Sequence, residues 1–267
     1  MNHKNHTIGI IGYGKVGESL TFALHKLGFN VFIYTRTLPD KQVHSRYVLP
    51  TMKQLVEKAH IIFITVPDKN ITATARNIAQ AQKDLTNKIF FHTSGAKTSE
   101  ELKMLKHQGA FTASFHPLQT FPQTINSLSA WKNVYCVLEG DKAAIKKGKF
   151  LCKKLHMNSF VLAAKKKIYY HSAAVLSSNF LVLLIQMSQE LALLAGIDKK
   201  KYKSLFYPLI AQSLENILNN ELGKALSGPL VRKDFNVIRT QISRIKKSNP
   251  DIAHLYQIFV KYYQNYQ

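Results

Sequence analysis

A glycine-rich turn between an apolar strand and an amphipathic helix constrains the fold of this chain more than any other feature. Residues 8–20 read Ile-Gly-Ile-Ile-Gly-Tyr-Gly-Lys-Val-Gly-Glu-Ser-Leu. The first motif glycine permits a tight turn, the second lets the backbone approach a pyrophosphate, and the third lets the helix pack closely on the strand. The free N–H groups and positive dipole end of that helix attract phosphate. The pattern predicts a dinucleotide site formed by Gly12, Tyr13, Gly14, Lys15, Val16 and Gly17.

The end of the second predicted strand, residues 31–34, favours one class of dinucleotide. Thr35, Arg36 and Thr37 follow this strand, and the first carboxylate comes only at Asp40. An acidic residue here would bind the ribose 2′-hydroxyl of NAD, whereas an arginine accommodates the 2′-phosphate of NADP. We therefore expect NADP(H) as the cofactor. The alternative is that Arg36 is only a solvated surface charge.

The alternation of strand-like and helix-like segments predicts the domain organisation. Apolar or β-branched runs alternate with amphipathic segments as far as residue 164, which predicts an α/β fold with a doubly wound parallel sheet. No strand pattern returns after residue 165. The sequence thus predicts a Rossmann domain over residues 1–164 and an all-helical domain over residues 165–267, for substrate binding and dimerisation.

Two predicted strands end in residues suited to contact a bound ligand. Val66 and Pro67 follow the apolar run that begins at Ile61, and Ser94 and Gly95 follow the strand that ends at His92. Ligands of open parallel sheets bind outside the carboxyl ends of the strands. These four residues are therefore candidates to flank the cofactor. The alternatives are that Pro67 only terminates its strand and that Ser94 caps a helix over residues 99–107.

His116 is a candidate for acid–base chemistry. It lies in a turn-like segment that two prolines, Pro117 and Pro122, make stiff. Histidine changes its charge near neutral pH, so a histidine held in this way is suited to proton transfer.

The first helix of the second half carries an unusual polar stripe. Residues 168–195 are apolar on most sides, which is typical of a buried helix. His171, Ser178 and Asn179 fall on one polar arc at ~100° per residue. A solvent-facing stripe in this lysine-rich chain would carry Lys and Glu, and none occurs on the arc before Glu190. We therefore expect this stripe to form the floor of an active site.

Composition limits the other classes of function. Lys and Arg number 37 against 15 Asp and Glu, a net charge of +22. These residues are scattered, which favours attraction of a small anionic substrate over nucleic-acid binding. Two cysteines without metal spacing and a polar N-terminus suit a cytoplasmic protein without a metal. The apolar run at residues 173–185 is interrupted by polar residues and is expected to be too short for a membrane span.

Several longer stretches resemble a known family. They read His-Thr-Ser-Gly-Ala at 92–96, Phe-His-Pro-Leu-Gln-Thr-Phe-Pro at 115–122, Tyr-His-Ser-Ala-Ala-Val at 170–175 and Ala-Leu-Ser-Gly-Pro-Leu-Val-Arg-Lys-Asp at 225–234. The chain resembles Rossmann-like NADP oxidoreductases with a helical C-terminal domain of unassigned function, in the 6-phosphogluconate dehydrogenase-like superfamily. It is similar, at a distance, to pyrroline-5-carboxylate reductases, prephenate dehydrogenases and ketopantoate reductases.

This resemblance implies a function, a set of site residues and an oligomeric state. It implies an NADPH-dependent reductase of a small 2-oxo acid, specifically ketopantoate in pantothenate synthesis, that forms a homodimer. Ketopantoate reductases use a lysine on this helix, and this chain has His171 there, so His116 or His171 would donate the proton. The alternatives are another NADP-dependent oxidoreductase and a non-catalytic NADP sensor. The implied catalytic residues are His116, His171 and Asn179, and the implied substrate-binding residues are Ser94, Gln119, Ser178 and Arg232.

Overall fold

The chain consists of two compact units in a computed structural model that describes residues 7–36 and 47–265. The units are Met1–Ser178 and Asn179–Gln267. The first helix after the sheet therefore belongs with the sheet, whereas the sequence places the change at residues 164–165. Each unit is described by itself below.

The first unit is built on a sheet of seven strands within the described residues, in the order β2-β1-β3-β4-β5-β6-β7. The strands are β1 Thr7–Ile11, β2 Asn30–Tyr34, β3 Ile61–Ile64, β4 Ile89–His92, β5 Phe111–Pro117, β6 Tyr135–Gly140 and β7 Asn158–Val161. The doubly wound sheet expected from the sequence is confirmed, with one correction. Strand β6 runs antiparallel to β5, while the other neighbouring strands are parallel. The segment between β5 and β6 holds only a short 3₁₀ turn and no crossover helix of the kind that parallel strands need.

Helices surround this sheet and cover both of its faces. The helices of the first unit are α1 Lys15–Lys26, α2 Met52–Lys58, α3 Ile71–Ala81, α4 Lys103–Lys106, α5 Lys142–Lys154 and α6 Lys167–Val175. All four residues of β3 are buried, as expected for a parallel strand covered on both faces. Alternate residues of this strand enter different clusters, with Ile61 and Phe63 in one and Ile62 and Ile64 in the other. This packing fixes the carboxyl ends of the strands, where the candidate site lies.

The long helix expected over residues 168–195 is interrupted by a π-helical turn, Leu176–Phe180. Helix α6 precedes this turn and α7, Leu181–Leu194, follows it. A π turn adds a residue to the helical repeat and rotates the following side chains. The single polar arc calculated at a constant angle therefore does not continue through the turn. Gly196, with a φ of +78°, follows the helix where the sequence places its end.

Apolar side chains of the second unit are exposed on the single chain. Beyond α7, this unit contains α8 Lys199–Asn219, α9 Phe235–Ser248 and α10 Pro250–Asn265. Val182 and Leu194 of α7 are 65% and 63% exposed, and Leu209 of α8 is 61% exposed. The expectation that the helix over residues 168–195 is buried is wrong for the single chain. The expected homodimer stays a prediction.

One helical run is long and apolar enough to cross a membrane by length and composition. It covers residues 164–194 with a mean hydropathy of 1.5 in its most apolar window. The apolar run at residues 173–185 is expected to be too short for a membrane span, but the helix that contains it extends well beyond both of its ends. A single such helix is weak evidence for a membrane span, because the core helix of a soluble protein can meet the same criteria of length and composition.

Candidate functional site

A cleft of about 810 Å³ lies at the carboxyl ends of the first strands of the sheet. The glycine-rich turn after β1 forms one wall, and the ends of β2, β3 and β4 contribute Thr35, Val66 and Thr93. Ligands of doubly wound folds bind at this edge, next to the point where the strand order reverses. Here the order reverses between β1 and β3. The cleft therefore lies at the position where this fold class binds its ligands.

The three motif glycines have the geometry that a dinucleotide turn requires. Gly12 has a φ of +96°, a conformation that residues with a side chain rarely adopt. A Cβ atom on Gly17 would lie 2.3 Å from the carbonyl oxygen of Gly12, so this glycine is required where the helix meets the turn. A Cβ atom on Gly14 would have no protein atom within 4 Å, because Gly14 faces open space at the start of α1. A pyrophosphate could lie in this space beside the N–H groups of the first helical turn.

The predicted cofactor-selecting residues reach the same cleft where the structure describes them. Tyr34, Thr35 and Arg36 line it, and Arg36 is exposed. A guanidinium at this place can donate hydrogen bonds to a phosphate bound in the cleft. Thr37 lies outside the described residues.

Ser94 has a structural role that the sequence did not predict. Its hydroxyl donates a hydrogen bond to Asp68 Oδ2 at 2.6 Å and accepts one from the N–H of Lys97 at 3.0 Å. Ser94 therefore connects the loops that follow β3 and β4. The alternative that it caps a helix over residues 99–107 is wrong, because a 3₁₀ turn begins at Ser99 with Thr98 as its N-cap, and Glu139 accepts the hydrogen bond from the N–H of Ser99 at 2.8 Å.

The segment over residues 121–125 forms hydrogen bonds with the glycine-rich turn and the first turns of α1. The sequence did not predict these contacts. The Lys15 ammonium donates a hydrogen bond to the carbonyl oxygen of Pro122. The N–H of Ile125 donates to Ser19 Oγ at 2.8 Å. Phe121 of the same segment lines the cleft. Two prolines marked this segment as stiff, but its contacts with a helix more than 100 residues earlier are tertiary.

His116 and His171 lie together beside Gly95. His116 is the sixth residue of β5, so its place in a strand corrects the predicted turn. A Cβ atom on Gly95 would lie 2.4 Å from His171 Nδ1 and 2.8 Å from His116 Nε2. The absence of a side chain at Gly95 therefore gives room to both imidazole rings, whose centroids are 5.9 Å apart. Nδ1 of His171 is buried without a hydrogen-bond partner among the described residues.

The surroundings of His116 keep its imidazole uncharged. Its pKa is lowered from 6.5 to about 3, chiefly by burial, with further contributions from the positive charge of Lys167 and from His171 and His92. At neutral pH this ring carries one proton and no charge. A neutral imidazole donates a hydrogen bond from one nitrogen and accepts one at the other.

Lys167 is a functional candidate that sequence reasoning missed. Its side chain is fully buried, and its ammonium donates hydrogen bonds to Ser114 Oγ at 2.6 Å and to the carbonyl oxygen of Ser94 at 3.2 Å. Burial lowers its pKa from 10.5 to about 8, while Glu139, Cys136 and Asp68 oppose this shift. In the sequence it is the last of three consecutive lysines, at positions 165–167, and nothing in the pattern distinguishes it from the other two. Lys167 is buried and its neighbours Lys165 and Lys166 are exposed because α6 packs against the sheet on the side of Lys167.

His92 couples the stability of the first unit to pH. Its Nε2 contacts the carbonyl oxygen of Thr98 at 2.9 Å, and its Nδ1 accepts the N–H of Ser94 at 3.2 Å. Burial lowers its pKa from 6.5 to about 4. Between these values the unfolded chain binds a proton that the folded chain does not, so stability rises with pH. This stability is complete above pH 6.5 and is lost as the pH falls toward 4.

We expect the free energy of unfolding to fall by up to about 3 kcal/mol between pH 7 and pH 4 through this one side chain. The variant His92→Gln removes the titrating ring, so its stability falls less over the same interval. Urea denaturation at several pH values measures this difference. The control is His60→Gln, at an exposed position. Equal pH slopes in the wild type and His92→Gln would show that His92 does not titrate as described.

The known contacts of the remaining predicted site residues do not test the roles predicted for them. Gln119 Nε2 donates a weak hydrogen bond to the carbonyl oxygen of Ala130 at 3.4 Å, and Ser178 Oγ donates to Ala174 O at 2.7 Å. Arg232 forms an ion pair with Asp234 at 3.0 Å in the second unit, which begins at Asn179. Their roles in substrate binding or catalysis stay predictions. Among residues 7–36 and 47–265, no group of three His, Cys, Asp or Glu side chains is placed to hold a metal ion.

Comparison with known families assigns a description to each half of the chain. Residues 1–117 match the family model described as a Rossmann-like domain. Residues 134–263 match the model described as a domain of unknown function, DUF2520. A comparison with curated proteins finds no match.

Solved structures share the fold over almost the whole chain. BF3122 from Bacteroides fragilis has a TM-score of 0.78 at 20% identity, with coverage of 99% of this chain and 100% of its own. Protein TM1727 from Thermotoga maritima has a TM-score of 0.71 at 25% identity, with 97% of each chain covered. The pyrroline carboxylate reductase of Plasmodium falciparum, solved with NADP bound, has a TM-score of 0.64 at 12% identity and covers 98% of this chain and 99% of its own. The chain therefore shares its fold with these proteins, one of which is a pyrroline carboxylate reductase solved with NADP bound.

Proposed function

We propose that this protein is an NADPH-dependent reductase of a small 2-oxo acid, and that it converts ketopantoate to pantoate. The observation that carries the proposal is the combination of a dinucleotide cleft with an uncharged histidine and a buried ammonium at the adjoining strand ends. His116, His171 and Lys167 form this group. The choice of ketopantoate rests on the family resemblance of the sequence.

The residues of the cleft fit NADPH. Gly14 leaves open space at the N-terminus of α1, where phosphate is favoured, and Arg36 lines the same cleft. When bound, the nicotinamide supplies the hydride that reduces the carbonyl carbon. The chain itself has to orient the substrate and stabilise the negative charge that develops on its oxygen.

The electrostatics of the site favour negative charge. Lys167 brings a buried positive charge to the ends of β4 and β5. Asp68 and Glu139 accept hydrogen bonds from Ser94 and Ser99, whereas the charge of Lys167 is the one that acts most strongly on His116. A developing alkoxide and a substrate carboxylate are stabilised by such a field. This argument supports reduction of an anionic ketone over reduction of a cationic iminium.

The two histidines supply the hydrogen-bond donor and the proton. An uncharged His116 with a proton on Nε2 donates a hydrogen bond toward the space beside Gly95. His171 faces the same space through Nδ1. We propose that one of these rings gives a proton to the nascent alkoxide and takes one back from water, a form of help worth roughly 10²–10⁴-fold in rate.

A second candidate activity is reduction of a carbon–nitrogen double bond, because one structural neighbour is a pyrroline carboxylate reductase. NADPH consumption at the nicotinamide absorbance, measured with ketopantoate, other 2-oxo acids and pyrroline-5-carboxylate in parallel, separates the two. Rapid turnover of ketopantoate supports the proposal. Turnover of the cyclic imine alone would replace the oxo-acid assignment, and NADPH binding without any turnover would favour a sensor.

Arg36→Asp is expected to weaken NADPH binding by roughly tenfold to a hundredfold and NADH binding little, because a charge-assisted hydrogen bond contributes about 1.5–3 kcal/mol. Fluorescence titration of the variant with both nucleotides measures this change. The control is Arg76→Asp on α3, a substitution that changes the net charge by the same amount. Equal losses for NADPH and NADH in Arg36→Asp would contradict the assignment of NADP(H).

A further inference from the structure

The hydroxyl of Tyr170 faces the histidine that the proposed reaction uses. Its Oη lies 2.7 Å from His116 Nδ1. The two rings meet edge to face, with centroids 5.6 Å apart. Tyr170 is on α6, three residues after the buried Lys167 and next to His171. One short helix thus presents three polar side chains to the end of β5.

The chemistry of the pair determines which atom donates. Burial raises the pKa of the Tyr170 hydroxyl well above 10, so the phenol keeps its proton. Within the described part of the chain, His116 Nδ1 is the only hydrogen-bond partner of this hydroxyl. The imidazole nitrogen is a good acceptor, and an O–H···N bond satisfies both groups. Nδ1 then carries no proton, and the single proton of the ring is on Nε2.

The charged and titratable groups around His116 keep the ring in this neutral form. Lys167 and His171 face it from α6, and His92 faces it from β4. Each is positive when charged, so each opposes a second proton on the ring. Nε2 lies on the side of the ring that faces Gly95, where a Cβ atom would come within 2.8 Å of it.

We propose that Tyr170 is a positioning residue that fixes His116 as the tautomer with its proton on Nε2, so that the Nε2–H can hydrogen-bond the substrate atom that receives negative charge. This role rests on the proposed reductase function for its consequence, but not for its geometry. Without the Tyr170 hydroxyl, Nδ1 and Nε2 compete for the proton, and a fraction of the protein presents a bare acceptor to the developing charge. An unprotonated imidazole nitrogen repels the negative charge on the substrate atom instead of stabilising it.

The test compares Tyr170→Phe with Tyr169→Phe. Tyr169 is the preceding residue and is 77% exposed, so its variant is a matched control for loss of one phenol hydroxyl. Nitrogen NMR of protein with ¹⁵N-labelled histidine reads the tautomer of His116 without substrate, with His116→Ala as the assignment standard. Wild type and Tyr169→Phe are expected to show one tautomer with the proton on Nε2. Tyr170→Phe is expected to show a mixture.

Kinetics give a second readout. Tyr170→Phe is expected to lower kcat roughly tenfold or more with little change in NADPH affinity, since it weakens donation from Nε2. In a His116→Ala background the same substitution is expected to have no further effect, because both changes act on one interaction.

Two results would overturn the inference. One is a proton on Nδ1 of His116 in the wild type, and the other is an unchanged tautomer in Tyr170→Phe. A loss of kcat that is equally large in the His116→Ala background would assign Tyr170 a role in packing and also overturn it. If no substrate is turned over, the proposed function fails, whereas the NMR comparison still decides the role of Tyr170.

Discussion

His116→Ala is expected to lower turnover by roughly 10²–10⁴-fold while NADPH binding stays within about twofold of the wild type. The imidazole lies beside Gly95 and not among the residues that line the dinucleotide cleft. Its loss therefore removes the proposed hydrogen-bond donor to the substrate and leaves the phosphate site intact. Single-turnover kinetics with saturating NADPH, together with a nucleotide titration, measure both quantities.

The control for His116→Ala is His107→Ala, which removes an exposed histidine from the turn after α4. That variant is expected to behave as the wild type. Full turnover by His116→Ala would exclude His116 as the donor. A loss of two orders of magnitude in His171→Ala would then assign proton donation to His171.

Gly14→Val is expected to weaken NADPH binding by roughly tenfold to a hundredfold and to leave the thermal stability of the free protein nearly unchanged. Gly14 has a φ of −79°, which valine adopts without strain, and a Cβ atom there meets no protein atom within 4 Å. The added side chain occupies the space that a pyrophosphate requires beside the helix N-terminus. Loss of one charge-assisted hydrogen bond to phosphate accounts for about 1.5–3 kcal/mol.

Gly17→Ala gives the opposite pattern and is the matched comparison. Its Cβ atom would lie 2.3 Å from Gly12 O and 2.6 Å from Thr65 Oγ1, so the turn has to shift. We expect a lower melting temperature in this variant even without nucleotide. Calorimetry of both free variants, followed by titration with NADPH, separates folding from binding. Tight NADPH binding by Gly14→Val would show that the phosphates lie elsewhere.

The local order of elements in the first unit could be predicted because it depends on short-range patterns. The glycine spacing, the buried run at Ile61–Ile64 and the alternation of strands and helices are all encoded within a few turns of chain. Even the separate requirements of Gly12 and Gly17 follow from the motif, since they express one local turn geometry.

The antiparallel strand and the exposed helices could not be predicted in the same way. The direction of β6 depends on how the segment after β5 returns, and this segment carries no strong pattern. The apolar faces of α7 and α8 have the composition of buried surfaces, but composition does not say what covers them. The polar arc was predicted at a constant angle per residue, and the π turn at Leu176–Phe180 changes this angle in the middle of the helix.

The sequence by itself determined the dinucleotide turn, the sheet class and the candidate histidines, because each depends on residue type and local spacing. Only the tertiary structure decided how His116 is partnered. Tyr170 lies 54 positions away from it along the chain, and Lys167 reads as one lysine among three until α6 packs on the sheet. A side chain's charge and tautomer depend on what surrounds it in space. Those surroundings come from β4, β5 and α6, which no short stretch of sequence contains.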